Sequence, residues 1–257
     1  MSGLDLTPAA APAPRASRVR RHALIETRLV VRNGEQLLLA LVIPLGLIFA
    51  NAAVGARLGI AREPFIASVI ALGLWSTGFT SVAITTAFER RYGVLERLVA
   101  TPLRRADLLL GKAAMVATVA LGQAVLLAVA GLLAGWSPRA GLASTLIAVA
   151  TVGFGLVAFT GLALILAGTA SAELTLGLAN LVYLLGAVGG LLVPLAAFPA
   201  WSQPVIALLP TTALAEALRT WSGEAAAGFF PGWTIAVTLA WAVLVVVLAR
   251  KVFRWTS

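Results

Sequence analysis

Leu37-Leu38-Leu39-Ala40-Leu41-Val42-Ile43 is an unbroken apolar run. Strands of a lipid-facing barrel alternate polar and apolar side chains. This run does not alternate, so a barrel is rejected and a membrane helix is expected. Around it, charges are sparse. Glu35 to Arg57, Glu63 to Glu89, Lys112 to Arg139, Arg139 to Glu173, Glu173 to Glu216 and Glu224 to Arg250 each bracket a charge-free gap. A transmembrane helix needs about 20 mainly apolar residues, and each gap can hold one. The expectation is an all-α membrane protein with six spans, at about 37–56, 64–88, 111–136, 141–167, 173–195 and 233–249.

Composition agrees. Of 257 residues, 60% are hydrophobic and 11% charged, whereas soluble domains are nearer a quarter charged. The net charge of +9 could suggest nucleic acid, but its distribution speaks for topology. With six spans and the N-terminus inside, the inner segments hold 15 of the Lys and Arg residues and the outer ones 4. That is the positive-inside pattern. It places both termini in the cytoplasm and assigns the basic charge to lipid headgroups, so no nucleic-acid partner is called for. There is no cysteine, which excludes disulfides, thiolate metal sites and a cysteine nucleophile. The first apolar stretch lies too deep for an ordinary signal peptide and lacks a cleavage pattern.

Residues 1–14 are Ala/Pro-rich and read as a disordered tail. Residues 15–36 read as an amphipathic interfacial helix. Val19, Ala23, Leu24, Leu29, Val30 and Leu37 would form one face, with Arg18, Arg21, Arg28 and Arg32 towards headgroups or water. The permease domain proper is expected over 37–254. Pro44 should kink span one. Span two is rich in hydroxyls, with Ser68, Ser76, Thr77, Thr80, Ser81, Thr85 and Thr86. Helix packing accounts for most of them, and a substrate path is the second reading. Asn51, Gln123, Asn180 and Tyr183 are isolated polar groups in apolar helices; Ser76, Thr77, Thr80, Asn180 and Tyr183 are the candidate path-lining set. Residues 196–232 carry Pro199, Pro204, Pro210 and Pro231. The segment is too broken to span and too apolar for a free loop, so an outer re-entrant or short-helix segment is expected over 196–232, with short helices at 201–208 and 212–221.

Several chemistries are missing. Gly111-Lys112 is followed by Ala113 and lacks the upstream glycine of a phosphate loop, so no ATP site of that kind is expected. The only histidine, His22, precedes the first span, leaving no base or metal ligand at membrane depth for a hydrolase. Proton- or sodium-driven carriers bury charges in their spans, and these span cores have none. Glu173, in the first turn of span five, is the nearest candidate, although there it also suits the helix dipole. No short internal repeat is evident.

The segment between spans two and three differs from the rest. Phe88, Tyr92, Leu95 and Val99 are spaced as one apolar stripe of a helix, with Glu89, Arg90, Glu96 and Arg97 elsewhere. Thr101-Pro102 should stop it, because the residue before proline avoids helical geometry. Two readings stand: a docking element for a separate subunit, or a solvated loop that enforces topology.

Residues 89–112, ERRYGVLERLVATPLRRADLLLGK, resemble the central signature of the type-2 ABC exporter permeases, which include daunorubicin-exporter-like drug permeases and bacterial polysaccharide exporters. The shared pattern is an acidic-basic start, a Gly-Thr-hydrophobic-Glu core, a Thr-Pro stop and a Gly-Lys start to span three. Val94 stands where threonine is common. A second block, Phe198-Pro199-Ala200-Trp201 with PTTALAEALR over 210–219, is similar to the stretch between spans five and six, with Leu209 where asparagine is common. The resemblance runs from Arg15 to Arg254. It implies a half-transporter in the bacterial cytoplasmic membrane, in which two permeases pair and each docks an ATP-binding cassette subunit. ATP and magnesium would be held by that subunit, with no cofactor bound by the permease itself and no enzymatic activity of its own. The coupling helix would carry Glu89, Arg90, Arg91, Tyr92, Gly93, Leu95, Glu96, Arg97, Leu98, Thr101 and Pro102. The interface helix would offer Arg21, Arg28 and Arg32. The outer gate would use Trp201, Pro210, Glu216 and Arg219. The cargo would be a hydrophobic or amphipathic drug, lipid or lipid-linked product. An ion-coupled carrier and a non-transporting assembly factor are the rival readings.

Overall fold

The computed structural model describes residues 13–32, 34–99, 101–223, 230 and 232–252, and every regular element among them is helical. The expected tail lies outside the described residues except for Ala13 and Pro14. Helix α1 (Arg15–Arg32) precedes α2 (Gly34–Val54), which closes in a 3-10 turn at Gly55–Leu58. Next, α3 (Arg62–Trp75) passes through a π-helical turn, Ser76–Ser81, into α4 (Val82–Arg91). The short α5 (Val94–Val99) leads to α6 (Arg105–Leu133), α7 (Leu142–Thr169) and α8 (Ala172–Gly186). A broken π turn, Ala187–Leu191, ends α8. Then come α9 (Gln203–Ala207), α10 (Pro210–Ser222) and α11 (Trp233–Val252).

Among the described residues, five helices are long and apolar enough to cross a membrane: Ala40–Leu58, Arg62–Arg91, Ala106–Leu133, Leu142–Thr169 and Ala172–Leu191. The apolar part of α11, Trp233–Ala249, is shorter. The fifth stretch stops before residue 195 because Gly189 and Gly190 leave helical geometry, Gly190 at φ 118°. A side chain there would meet the Thr212 side chain as well. Pro44 lies inside a single helix that runs on to Val54.

The second stretch is the axis of the bundle: 78% of its apolar 18-residue segment is buried, against 22–44% of the corresponding segments of the other four. All of α3 from Ile66 to Trp75 is buried, so its side chains meet protein on every side. Trp75 stacks on Phe79 at 4.4 Å and meets Phe159 of α7 edge-on at 4.7 Å. Helices α7 and α11 pack through small groups. Gly161 lies against Val245, and the Thr151 and Thr234 hydroxyls are 3.0 Å apart. Such close approach is how apolar helices associate where lipid removes the hydrophobic drive.

The segment between α8 and α11 holds two short helices near the expected positions, but at different depths. Helix α9 is superficial, with Val205 and Leu208 exposed. Helix α10 is instead buried from Pro210 to Arg219, packed among α3, α7 and α11. A charged pair rides in with it. Arg219 Nη1 donates to Glu216 Oε1 at 2.6 Å, and Glu216 Oε1 accepts from Leu195 N–H at 2.9 Å. Arg219 Nε donates to Ser68 Oγ at 2.9 Å, and its Nη2 donates to the carbonyls of Gly190 and Leu191. The broken end of α8 frees those carbonyls, and Arg219 satisfies them. A buried charge is tolerable only with such complete pairing.

Candidate functional site: a docking segment and a side cavity

The two ends of the bundle differ in chemistry. One end gathers α1, α5, the start of α6 and the α7–α8 turn. There α4 does not run on into a single docking helix. Gly93 has φ +66°, a conformation that favours glycine, and it breaks the chain between α4 and α5. The apolar stripe expected from Phe88 to Val99 is split as a result. Tyr92 is 64% exposed while Leu95 is 1% exposed. Leu95 packs inward, sharing a small recess with His22, Thr86, Leu98, Leu108 and Leu164. Phe88 and Tyr92 keep a ring contact at 6.1 Å.

The expected docking residues thus divide into two groups. Glu89, Arg90, Arg91 and Leu95 are engaged within the chain. Glu89 lies 2.7 Å from Lys112 Nζ. Arg90 donates to the Ala170 carbonyl, and Arg91 pairs with Glu173. Tyr92, Glu96, Arg97, Thr101 and Pro102 are exposed, and Gly93 and Leu98 are half-buried. Glu173, weighed from sequence as a proton carrier, is exposed and tied to Arg91 at the surface.

Lys112 is the residue whose importance sequence reasoning missed. Its side chain is 5% exposed and sits between two carboxylates, Glu89 at 2.7 Å and Glu26 at 3.1 Å. Glu26 belongs to α1, Glu89 to α4 and Lys112 to α6, so one ammonium ties three elements together. His22 Nε2 lies 3.9 Å from Glu26. Burial is the main force holding the His22 imidazole below its ordinary 6.5; Glu26 opposes it and Lys112 adds to it. A second clasp holds the other end of α1. Arg15 Nε donates to Asp107 Oδ1 at 2.6 Å, and Arg18 Nη1 donates to the Pro102 carbonyl at 2.8 Å.

These ties change the reading of α1. Its inward face carries His22, Glu26, Val19, Ala23 and Val30, whereas Leu24 and Leu29 are exposed. The apolar face drawn from sequence is divided among the described side chains, Leu37 lying outside them, because α6 offers the buried charge Lys112 as a partner to His22 and Glu26. Arg21, Arg28 and Arg32 are exposed, as expected of residues facing headgroups or water.

The candidate path-lining residues come together. Ser76, Thr77, Thr80, Asn180 and Tyr183 all line one cavity of about 510 Å³, bounded by parts of α1, α2, the π turn, α6 and α8. The π turn Ser76–Ser81 presents the hydroxyls; such turns recur at functional sites. Gln123 joins them. Thr77 Oγ1 donates to Gln123 Oε1, and Gln123 Nε2 donates to the Ala40 carbonyl at 3.1 Å. The expected outer-gate residues do not form one site. Trp201 is 83% exposed, while Pro210, Glu216 and Arg219 are inside the bundle.

The family model described as "ABC-2 family transporter protein" matches residues 57–250. The chain belongs to that family. The match takes in α3 to α11 and therefore the α4–α5 segment, the buried α10 and most of the cavity wall. With its apolar helices, this ABC-2 family member is a multi-pass membrane protein. It is similar to "Probable doxorubicin resistance ABC transporter permease protein DrrC" of Mycobacterium tuberculosis, in strain CDC 1551 / Oshkosh and in strain ATCC 25618 / H37Rv. Each is 32% identical over 158 residues, covering 60% of this chain and 56% of the relative. The ABC-2 chain thus spans a little over half the length of the curated relatives it matches.

Proposed function

We propose that this chain is the membrane subunit of an ATP-driven exporter that moves a hydrophobic or amphipathic compound outward across the bacterial cytoplasmic membrane. Family membership supports the class, and the name of the relative supports drug-like cargo. The observation that carries the coupling step is the construction of α5. Its buried Leu95 holds it to the bundle while Glu96 and Arg97 face outward. A short helix fixed on one side and charged on the other suits a cleft in a separate ATP-binding cassette subunit. That subunit would hold ATP and magnesium, since this sequence contains no phosphate loop. A second permease copy, identical or not, would complete the path.

The ion pairs give a physical route for the stroke. Displacement of α5 would pull on α4 and, through Lys112, on both α1 and α6. Coupling of this kind needs an element with two arrangements that both sites bias, and the Lys112 cluster is the proposed element. The basic end is taken as cytoplasmic from the positive-inside pattern, with α11 as the sixth span.

The test is a pull-down of the tagged permease in mild detergent, with mass identification of partners and an ATPase assay. A stoichiometric ATP-binding subunit, reduced by Glu96→Lys, is the expected result. An intact preparation with no such subunit would return the reading to an ion-coupled carrier or an assembly factor.

A further inference from the structure

Helix α1 does not lie flat across the end of the bundle. Its contacts rise along α6. Arg15 meets Asp107, Glu26 meets Lys112, and beyond α1 the Ala40 carbonyl accepts from Gln123. Arg28 and Arg32 follow Glu26 and precede Ala40, so they stand between the levels of Lys112 and Gln123. Those levels are about 16 Å apart along α6 at 1.5 Å per residue. Beyond Lys112, α6 carries no further charge up to its end at Leu133. The last turn of α1 therefore runs beside the uncharged part of a membrane span.

Both arginines are exposed there. Neither makes an ion pair or a hydrogen bond with a described residue. From Arg15 to Arg32 the helix holds six arginines and one carboxylate, Glu26, which Lys112 already occupies. A spacing of four puts the Arg28 and Arg32 guanidiniums on one face, one turn apart. Leu24, Ile25, Leu29 and Val31 flank them and are 48–62% exposed.

A cation at membrane depth is costly unless it pairs or reaches water. A single arginine can lay its apolar stem along the lipid and carry its charge towards the surface. Two such charges side by side repel, and one phosphate can accept from both in the forked geometry that guanidinium favours. A zwitterionic headgroup would bring an ammonium that the same arginines repel. The exposed apolar side chains around them suit acyl chains.

We infer that the last turn of α1 is a binding site for an anionic phospholipid, whose phosphate is held by Arg28 and Arg32 and whose chains lie on Leu29 and its apolar neighbours. This is more than a general attraction to headgroups. Arg20 and Arg21 are exposed on the same helix, but they stand short of the Lys112 level and are not part of the site. The lipid holds the outward side of α1 while Lys112 holds its inward side. The site does not depend on the exporter reading.

The chain has no cysteine. Leu29→Cys therefore gives a sole thiol beside the two arginines, and Leu133→Cys gives one at the far end of α6, where the side chain is also exposed. Each variant of the purified full chain would be labelled with bimane in nanodiscs of equal parts phosphatidylcholine and phosphatidylglycerol. Bromines on the chains of one lipid or the other report, by quenching, which lipid is the neighbour. An arginine near an anionic lipid surface is worth about fivefold in binding, so two should enrich phosphatidylglycerol up to about 25-fold at position 29. Quenching there should come almost wholly from brominated phosphatidylglycerol, and at position 133 equally from both lipids. Arg28→Gln with Arg32→Gln should abolish the preference. Arg20→Gln with Arg21→Gln removes the same charge and should keep it. Equal quenching by the two lipids at position 29 would overturn the inference, as would a preference that survives Arg28→Gln with Arg32→Gln or that falls equally in both double variants. No quenching by either lipid would also overturn it, and would mean that a second copy or water covers this face. Loss of the preference in millimolar inorganic phosphate at constant ionic strength would assign the arginines to a soluble anion instead. The measurement needs no ATP-binding partner, so failure of this site and failure of the exporter reading in the pull-down are separate outcomes.

Discussion

At the scale of the residue, Lys112 is the group whose removal should do most harm. It balances Glu26 and Glu89 across three elements. Removing one partner of a buried ion pair leaves charge without compensation and costs about 3–5 kcal/mol. Lys112→Met should therefore lower the unfolding temperature of the detergent-solubilised protein sharply. Adding Glu26→Gln and Glu89→Gln to Lys112→Met should recover much of the loss, because the stranded charges are gone. No recovery would mean that packing, not charge, is what Lys112 supplies. His22 gives a pH dependence whose sign is fixed. Its folded-state pKa is lowered below 6.5, chiefly by burial. Below pH 6.5 the unfolded chain then binds more protons than the folded one, and stability rises with pH across that window. The contribution is complete above 6.5 and is lost progressively as pH falls from 6.5 towards the depressed folded value. Unfolding temperatures of wild type and His22→Gln should therefore converge above pH 7, apart from a constant offset, and diverge towards pH 5. A constant difference across the range would remove the histidine from the account.

At the scale of the element, α5 separates two roles that the sequence merges. Glu96 is exposed and Leu95 is buried. Exposed substitutions usually cost less than about 0.5 kcal/mol, so Glu96→Lys should leave thermal stability unchanged while weakening capture of the ATP-binding subunit. Leu95→Asp buries a carboxylate in a recess whose cation, Lys112, is already paired with Glu26 and Glu89, and a loss of at least about 2–3 kcal/mol is expected. Failure of Leu95→Asp alone is thus no evidence of docking; the contrast with Glu96→Lys is. The contrast also marks what could be read in advance. The charge-free gaps located the long helices, since lipid leaves few ways to satisfy the backbone, and the hydroxyls of span two pointed to the cavity they line. The break at Gly93 was harder to see, because a glycine among charged residues looks the same whether a helix passes through or stops. The inward face of α1 was hidden for another reason. Periodicity counts apolar side chains, and here the buried partners are His22 and Glu26, which only the distant Lys112 makes tolerable. The burial of the charged pair on α10 was missed likewise. Its Glu216 and Arg219 look solvated until the opened end of α8 supplies Arg219 with carbonyls.

At the scale of the whole molecule, the open matter is how many times the chain crosses, and α11 decides it. Its apolar part, Trp233–Ala249, has 17 residues. At 1.5 Å per residue that is about 25 Å, short of the roughly 30 Å hydrocarbon core. The helix itself continues to Val252. Long basic side chains at a helix end can keep their stems in the apolar region while their charges reach water, and Arg250 and Lys251 stand at that end. Against the bundle, α11 also lies along α7, an accepted span, through the Gly161–Val245 and Thr151–Thr234 contacts. Both arguments favour a sixth crossing. In intact cells, a membrane-impermeant maleimide should label the sole thiol of Arg57→Cys, which is exposed at the end opposite α5. It should reach Glu96→Cys and Ser257→Cys only after permeabilisation. Labelling of Ser257→Cys from outside, with Glu96→Cys still protected, would leave α11 folded back on the outer side and reduce the bundle to five spans.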